Sequence, residues 1–250
     1  MKWNSIYPSN YIILSKVKQL FLAIIIMLAF TAGKENNQKN AIQDAMHETN
    51  HDKHDSSKSA NEHMQRSSTK DLIERFESPE RDAYQNPEKV LEYLGDINGK
   101  KIMDLGAGSG YFSVKLAEKG AHVIAADVSN EFQDALKKRI EENNLENIEL
   151  RKIPYDSPNL SDNEVDMVLI VNTYHHIENR INYFSKVKKG IKLNGELVVI
   201  DYFKKELPVG PSVDHKIDLE TVKSELEKAG YTQLDVNVDL LPYQFIIRAK

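Results

Sequence analysis

Polar and apolar positions divide the chain into three stretches of different rhythm. Near the N-terminus, Leu20-Phe21-Leu22-Ala23-Ile24-Ile25-Ile26-Met27-Leu28-Ala29-Phe30 is an unbroken apolar run of 11 residues, preceded by Lys16 and Lys18 and followed by Thr31-Ala32-Gly33. From about 34 to 70 large apolar residues nearly vanish. Beyond 71 short apolar runs alternate with segments whose apolar positions recur every three to four residues. Lys101-Ile102-Met103-Asp104, His122 to Asp127, Ile148 to Arg151 and Val165 to Val171 read as strands. The last is almost wholly apolar, as a strand covered on both faces must be. Between them, Tyr111 to Lys119, Glu131 to Asn143 and Ile181 to Lys189 read as helices. Asn194-Gly195 predicts a turn into Glu196 to Ile200. A helix over 219–229, ended by Gly230, leads to two strands at about 232–238 and 244–249.

Strands alternating with helices imply an α/β domain with a mostly parallel sheet covered on both faces. The expected organisation is therefore 1–33 as an export signal or membrane anchor, 34–70 as a disordered polar linker, and 71–250 as the folded domain. The apolar run is short for a spanning helix, which needs roughly 20 residues, and fits the apolar part of a signal peptide. Lys34 stands where a lipoprotein signal would carry cysteine, so lipidation is not expected. The protein is then exported, periplasmic or held at the membrane by this segment. Initiation at Met64 would instead leave a cytoplasmic protein. The linker cannot bury enough surface to offset chain entropy. Its His47, His51, His54 and His63 read as solvated side chains, with metal trapping as the alternative.

Composition narrows the chemistry. The chain of 250 residues has no cysteine, which removes disulfides, cysteine-ligated metal and thiol nucleophiles. Its net charge of -5 argues against a nucleic-acid partner.

One loop carries the strongest signal. Asp104-Leu105-Gly106-Ala107-Gly108-Ser109-Gly110 ends a strand and opens a helix, the setting of a cofactor loop. Its spacing is G-x-G-x-G, whereas dinucleotide loops read G-x-G-x-x-G. Asp104 just before it would repel a pyrophosphate and suits a ligand with an ammonium and a sulfonium. Asp127 ends the next strand, 21 positions after Gly106, where a carboxylate accepts hydrogen bonds from ribose hydroxyls.

These residues resemble the class I S-adenosylmethionine-dependent methyltransferases, over about Ile102 to Arg248. The resemblance implies a Rossmann-like, seven-stranded, mostly parallel sheet with an antiparallel C-terminal hairpin. It implies S-adenosylmethionine as cofactor, with Asp104, Gly106, Ala107, Gly108 and Gly110 at its aminoacyl end. Asp127 and Val128 take the ribose and flank the adenine, and Asn172 lies beside the cofactor. The family's acidic adenine contact falls at Pro154 here, so Asp156 is the substitute.

The chemistry is expected at the carboxyl ends of the strands. Tyr174, His175, His176 and Asp201 stand there, and His215 follows the stiff loop Pro208-Val209-Gly210-Pro211, a prospective lid. These are the candidate catalytic residues, with structural anchoring or loop capping as the competing role. Arg81, Tyr84 and Gln85, in the mixed-polarity segment between Pro79 and Pro87, are candidates for acceptor binding. Together with Leu241-Pro242-Tyr243-Gln244, these stretches resemble a bacterial, often exported, group of methyltransferases of poorly defined substrate. No Asn-Pro-Pro-Tyr motif follows the fourth strand, so DNA-base and glutamine acceptors are not expected. A small-molecule acceptor is expected, with no metal. The rival reading is an exported, non-catalytic ligand- or metal-binding protein on the same fold.

Overall fold

The computed structural model describes residues 68–250; the proposed export segment, the four linker histidines and Met64 lie outside them. Among the described residues, no helix is long and apolar enough to cross a membrane. The strands are β1 (Lys101–Leu105), β2 (His122–Asp127), β3 (Ile148–Lys152), β4 (Val165–Val171), β5 (Ile191–Tyr202), β6 (Leu234–Asn237) and β7 (Gln244–Ala249). They form one sheet in the order β3-β2-β1-β4-β5-β7-β6. The first five are parallel, and β7 runs antiparallel between β5 and β6. The expected sheet and its terminal hairpin are therefore present.

Among the described residues, three helices precede β1: α1 (Thr69–Phe76), α2 (Pro79–Gln85) and α3 (Pro87–Leu94). Local chemistry starts each of them. Ser68 Oγ accepts from the Asp71 amide, 3.1 Å away, so α1 begins two residues before the expected domain edge. Pro79 and Pro87 occupy first-turn positions, where a missing N–H costs nothing. The other helices are α4 (Tyr111–Glu118), α5 (Asn130–Glu142), α6 (Arg180–Gly190) and α7 (Leu219–Lys228).

The side-chain alternation of the strands builds two cores. Met103, Leu105, Ile124, Val168 and Val199 face α6 and α7, where Phe184, Val187, Val222 and Leu226 are buried. Ile102, Val123, Met167, Leu169 and Val198 face α3 and α4. Strand order reverses between β1 and β4, which opens a crevice at their carboxyl ends.

One expectation is corrected. Lys192-Leu193-Asn194-Gly195 is not a turn before β5 but an irregular stretch inside it. Val165 pairs with Ile191 and Met167 with Glu196, so surplus residues of β5 bulge out of the ladder. Gly195 is required there, because a Cβ would lie 2.5 Å from the Asp166 carbonyl oxygen.

Phe184 anchors the α6 face: it is fully buried and its ring stacks on Tyr174 with centroids 4.7 Å apart. Phe184→Ala is expected to cost about 3–5 kcal/mol. Urea denaturation should show the midpoint falling with an unchanged slope.

Candidate active site

The glycine loop leaves β1 and enters α4 with Gly106, Gly108 and Gly110 at φ 78°, 55° and 87°. These left-handed values favour glycine. A Cβ on Gly106 would sit 2.4 Å from Thr173 Cγ2, so only glycine lets the end of β4 close against the loop. Asp127 Oδ2 accepts from the Gly108 amide at 2.8 Å and Oδ1 from the Ser129 amide at 2.8 Å. The second-strand aspartate thus shapes the loop that it flanks. Val128 follows directly, partly buried against the core, and Ala107 is buried beneath the loop.

A cap covers this loop. The edge of the Phe76 ring lies 3.6 Å from the Cβ position of Gly108, and Phe76 meets Phe132 of α5 at 5.8 Å. Glu77 accepts from Ser109 Oγ at 2.5 Å and pairs with Arg139 at 2.6 Å. Arg139 also donates to the Ser109 carbonyl at 2.8 Å. Phe76 and Arg139 escape a motif reading because they belong to α1 and α5, outside the glycine pattern. Their amphipathic placement is the signal that could have found them.

On the other side of the crevice, Asp201 at the end of β5 binds His175. Both carboxylate oxygens lie 3.0 Å from Nδ1, and the His175 amide donates to Oδ2 at 3.3 Å. The Tyr202 amide donates to Oδ1 at 2.8 Å. The His176 ring packs on His175 with centroids 4.3 Å apart and the planes tilted by 37°. Burial, then the neighbouring His175, push His176 down to about 3, and His215 from the lid loop adds to this. The structure therefore brings His175, His176, Asp201 and His215 together. The Pro208–Pro211 loop packs on β5: Gly210 faces the Tyr202 ring, and a Cβ there would lie 2.8 Å from its Cζ. Lys216, which sequence reasoning missed, is buried behind it and donates to the Lys205 carbonyl at 2.9 Å. A lysine in a polar loop carries no sequence sign of burial.

Two assignments change. Tyr174 is not placed for chemistry: it is fully buried on Phe184, and its hydroxyl donates to Glu225 at 2.8 Å, which raises its pKa along with burial. Gln85 does not offer its amide to an acceptor, because it is fully buried and bonded to Gln244, donating at 3.2 Å and accepting at 3.3 Å. Asn172 joins the same network. Its amide donates to Gln85 at 3.1 Å and to the Tyr202 hydroxyl at 3.4 Å, and accepts from Gln244 at 2.6 Å. Asp156 is exposed in a turn, and its carbonyl takes Lys186 Nζ of α6 at 2.8 Å. Tyr84 faces Tyr243 at 6.3 Å and lies beside the Tyr202 hydroxyl. Arg81 sits nearer the glycine loop than expected, with its guanidinium 3.9 Å over the Tyr111 ring.

The two strand-end carboxylates are expensive to hold. Asp104 is 3% exposed and Asp127 6% exposed. Burial raises both, against hydrogen bonds from Ser113 to Asp104 and from the Ser129, Gly108 and Val128 amides to Asp127. Asp104 is pushed up to about 6, with the Arg81 field lowering it and Asp127 raising it. An acid whose folded value lies above its unfolded one holds its proton more tightly in the fold. Stability is then lost as pH rises from about 4 to about 6. Asp104→Asn is expected to stabilise the ligand-free protein at pH 8 by up to about 3 kcal/mol. The gain should vanish at about pH 3.5 in chemical denaturation. A gain equal at both pH values would contradict the burial of a charged Asp104.

Residues 102–195 match the family model described as a methyltransferase domain. Over 92 residues the chain is 29% identical to an uncharacterized methyltransferase of Mycobacterium tuberculosis, covering 37% of this chain and 36% of the relative. The chain thus spans about a third of the length of that curated relative. The crystal structure of a SAM-dependent methyltransferase from Aquifex aeolicus superposes with a TM-score of 0.66 at 27% identity, over 72% of this chain and 96% of that one. The phosphoethanolamine N-methyltransferase 2 of Haemonchus contortus, solved with S-adenosyl-L-methionine, shares the fold at a TM-score of 0.55 and 18% identity, over 61% of this chain and 38% of that one. The glycine cradle and its two carboxylates fit the cofactor those proteins use. The chain thus carries a stretch that matches a methyltransferase domain, on the fold of the S-adenosylmethionine-dependent methyltransferases, and S-adenosylmethionine is the cofactor that this likeness supports.

Proposed function

We propose that this protein transfers a methyl group, in line, from S-adenosylmethionine to a small-molecule acceptor held beside the His175–Asp201 pair. The observation that carries the reading is the juxtaposition of two elements at one end of the sheet. One is a glycine loop bounded by buried Asp104 and Asp127; the other is a buried histidine–carboxylate pair one strand away.

S-adenosylmethionine supplies a methyl group already activated by a sulfonium. The protein's task is then alignment and exclusion of water. Asp127 is bonded to the Gly108 and Ser129 amides through one oxygen each, which leaves lone pairs for ribose hydroxyls. Phe76 covers Gly108 and shields that end from water. At the acceptor end, the Asp201 carboxylate fixes His175 with its proton on Nδ1, so Nε2 is the basic nitrogen. His175 takes the proton of an acceptor that must lose one. His176 stays neutral and offers a hydrogen-bonding wall. Tyr84, Tyr202 and Tyr243 add aromatic surface, and the lid loop closes over Tyr202. The Gln85–Gln244–Asn172 amides hold α2 to the sheet, so that Tyr84 keeps its place.

The rival reading, a non-catalytic binder, keeps the same pair only as a brace between β4 and β5.

Calorimetric titration of the full chain with S-adenosylmethionine is expected to show one site, and Asp127→Asn should weaken it at least tenfold. With labelled donor and a small-molecule cell extract, the wild type should yield a labelled product, and His175→Gln should slow its formation about a hundredfold or more. No binding by folded protein would end the methyltransferase reading. Binding without any transfer would favour the non-catalytic one.

A further inference from the structure

Two charges near the glycine loop lack a bonded counter-charge among the described residues. Asp104 is buried and receives a hydrogen bond from Ser113 Oγ at 2.6 Å, with no cation in ion-pair contact. Arg81 is half-buried, with no carboxylate in ion-pair contact. A guanidinium has five N–H donors in a rigid fork that matches a carboxylate. In Arg81, Nη1 donates to the Phe76 carbonyl at 3.0 Å, and the plane lies 3.9 Å over the Tyr111 ring. These contacts orient the group and leave donors unspent.

The two charges feel each other, since Arg81 lowers the proton affinity of Asp104, yet they do not bond. The other cations around the loop are already engaged. Arg139 is paired with Glu77 and the Ser109 carbonyl, and Lys152 donates to the Val128 carbonyl. Lys115 lies over the Tyr111 ring at 4.8 Å. An oriented anion and an oriented cation, kept apart beside a glycine cradle, complement a ligand carrying an ammonium and a carboxylate on one carbon.

We propose that Arg81 binds the α-carboxylate of S-adenosylmethionine while Asp104 receives its α-ammonium. Arg81 is then a donor-binding residue rather than an acceptor-binding one. It lies on α2, upstream of the 102–195 segment matched as a methyltransferase domain. Mounting on Tyr111, the first residue of α4, ties its position to the loop that it serves. The inference rests on the methyl-donor reading above and adds the residue that reads the donor's amino-acid end.

Decarboxylated S-adenosylmethionine separates this contact from all others, because it keeps the ammonium, sulfonium and nucleoside and lacks only the carboxylate. Calorimetry on the full chain is expected to show the wild type preferring the carboxylated donor at least tenfold. Arg81→Met should abolish that preference while binding the decarboxylated compound as the wild type does. Arg81→Lys should restore part of the preference, since it returns the charge without the fork. Two results would overturn the proposal: a preference that survives in Arg81→Met, or an equal loss of both ligands in that variant, which would mark Arg81 as structural. A wild type that binds neither compound would instead bring down the methyl-donor reading itself, and this proposal with it.

Discussion

Two carboxylates at the ends of adjacent parallel strands are held out of water with no cation bonded to either among the described residues. Desolvation makes Asp104 and Asp127 costly, and the fold spends backbone amides, a serine hydroxyl and the left-handed conformation of three glycines on keeping them there. Burial without full compensation is a cost that a ligand can remove. The parallel order of β1, β2 and β4 is what brings the carboxylates to one edge, and the reversal of strand order beside β1 opens the crevice that they line. The remainder of the site is arranged around this edge.

The cap divides into a part that covers and a part that is fixed. Phe76 and Glu77 lie on the glycine loop through a ring contact and partly exposed polar contacts with Ser109 and Arg139. Gln85, at the far end of α2, is locked by buried amides to Gln244 and Asn172. Because the amide network also takes the Tyr202 hydroxyl, the proposed acceptor wall shares one scaffold with the end of β4 that closes on the glycine loop. The His175–Asp201 pair sits on that scaffold from β4 and β5, fixed by backbone amides as well as by its own bond.

Much of this was legible in the sequence, for identifiable reasons. Period-two and period-3.6 patterning located the strands and most helices, and the G-x-G-x-G loop with Asp104 and Asp127 pointed to the proposed donor end. The helices before β1 were less legible, because α2 is short and its polarity mixed; only Pro79 and Pro87 mark it. Tyr174, His175 and His176 are consecutive, yet a 3₁₀ turn sends Tyr174 into the core and His175 to Asp201. A linear motif does not say which way each side chain turns. Asn172 and Gln85 read equally well as ligand contacts or as network members, and the choice depends on Gln244, about 160 positions after Gln85 in the chain. The bulge in β5 was hidden because Asn194-Gly195 is as good a turn as it is a bulge.

The central claim is that the edge formed by Asp104, the glycine loop and Asp127 takes the methyl donor. Amide hydrogen exchange on the full chain, with and without S-adenosylhomocysteine, reads this directly. The expected result is new protection concentrated at 104–110, at 127–129 and in α1 and α2, with the β6–β7 edge unchanged. Protection confined to other regions, or no change at saturating ligand, would contradict it.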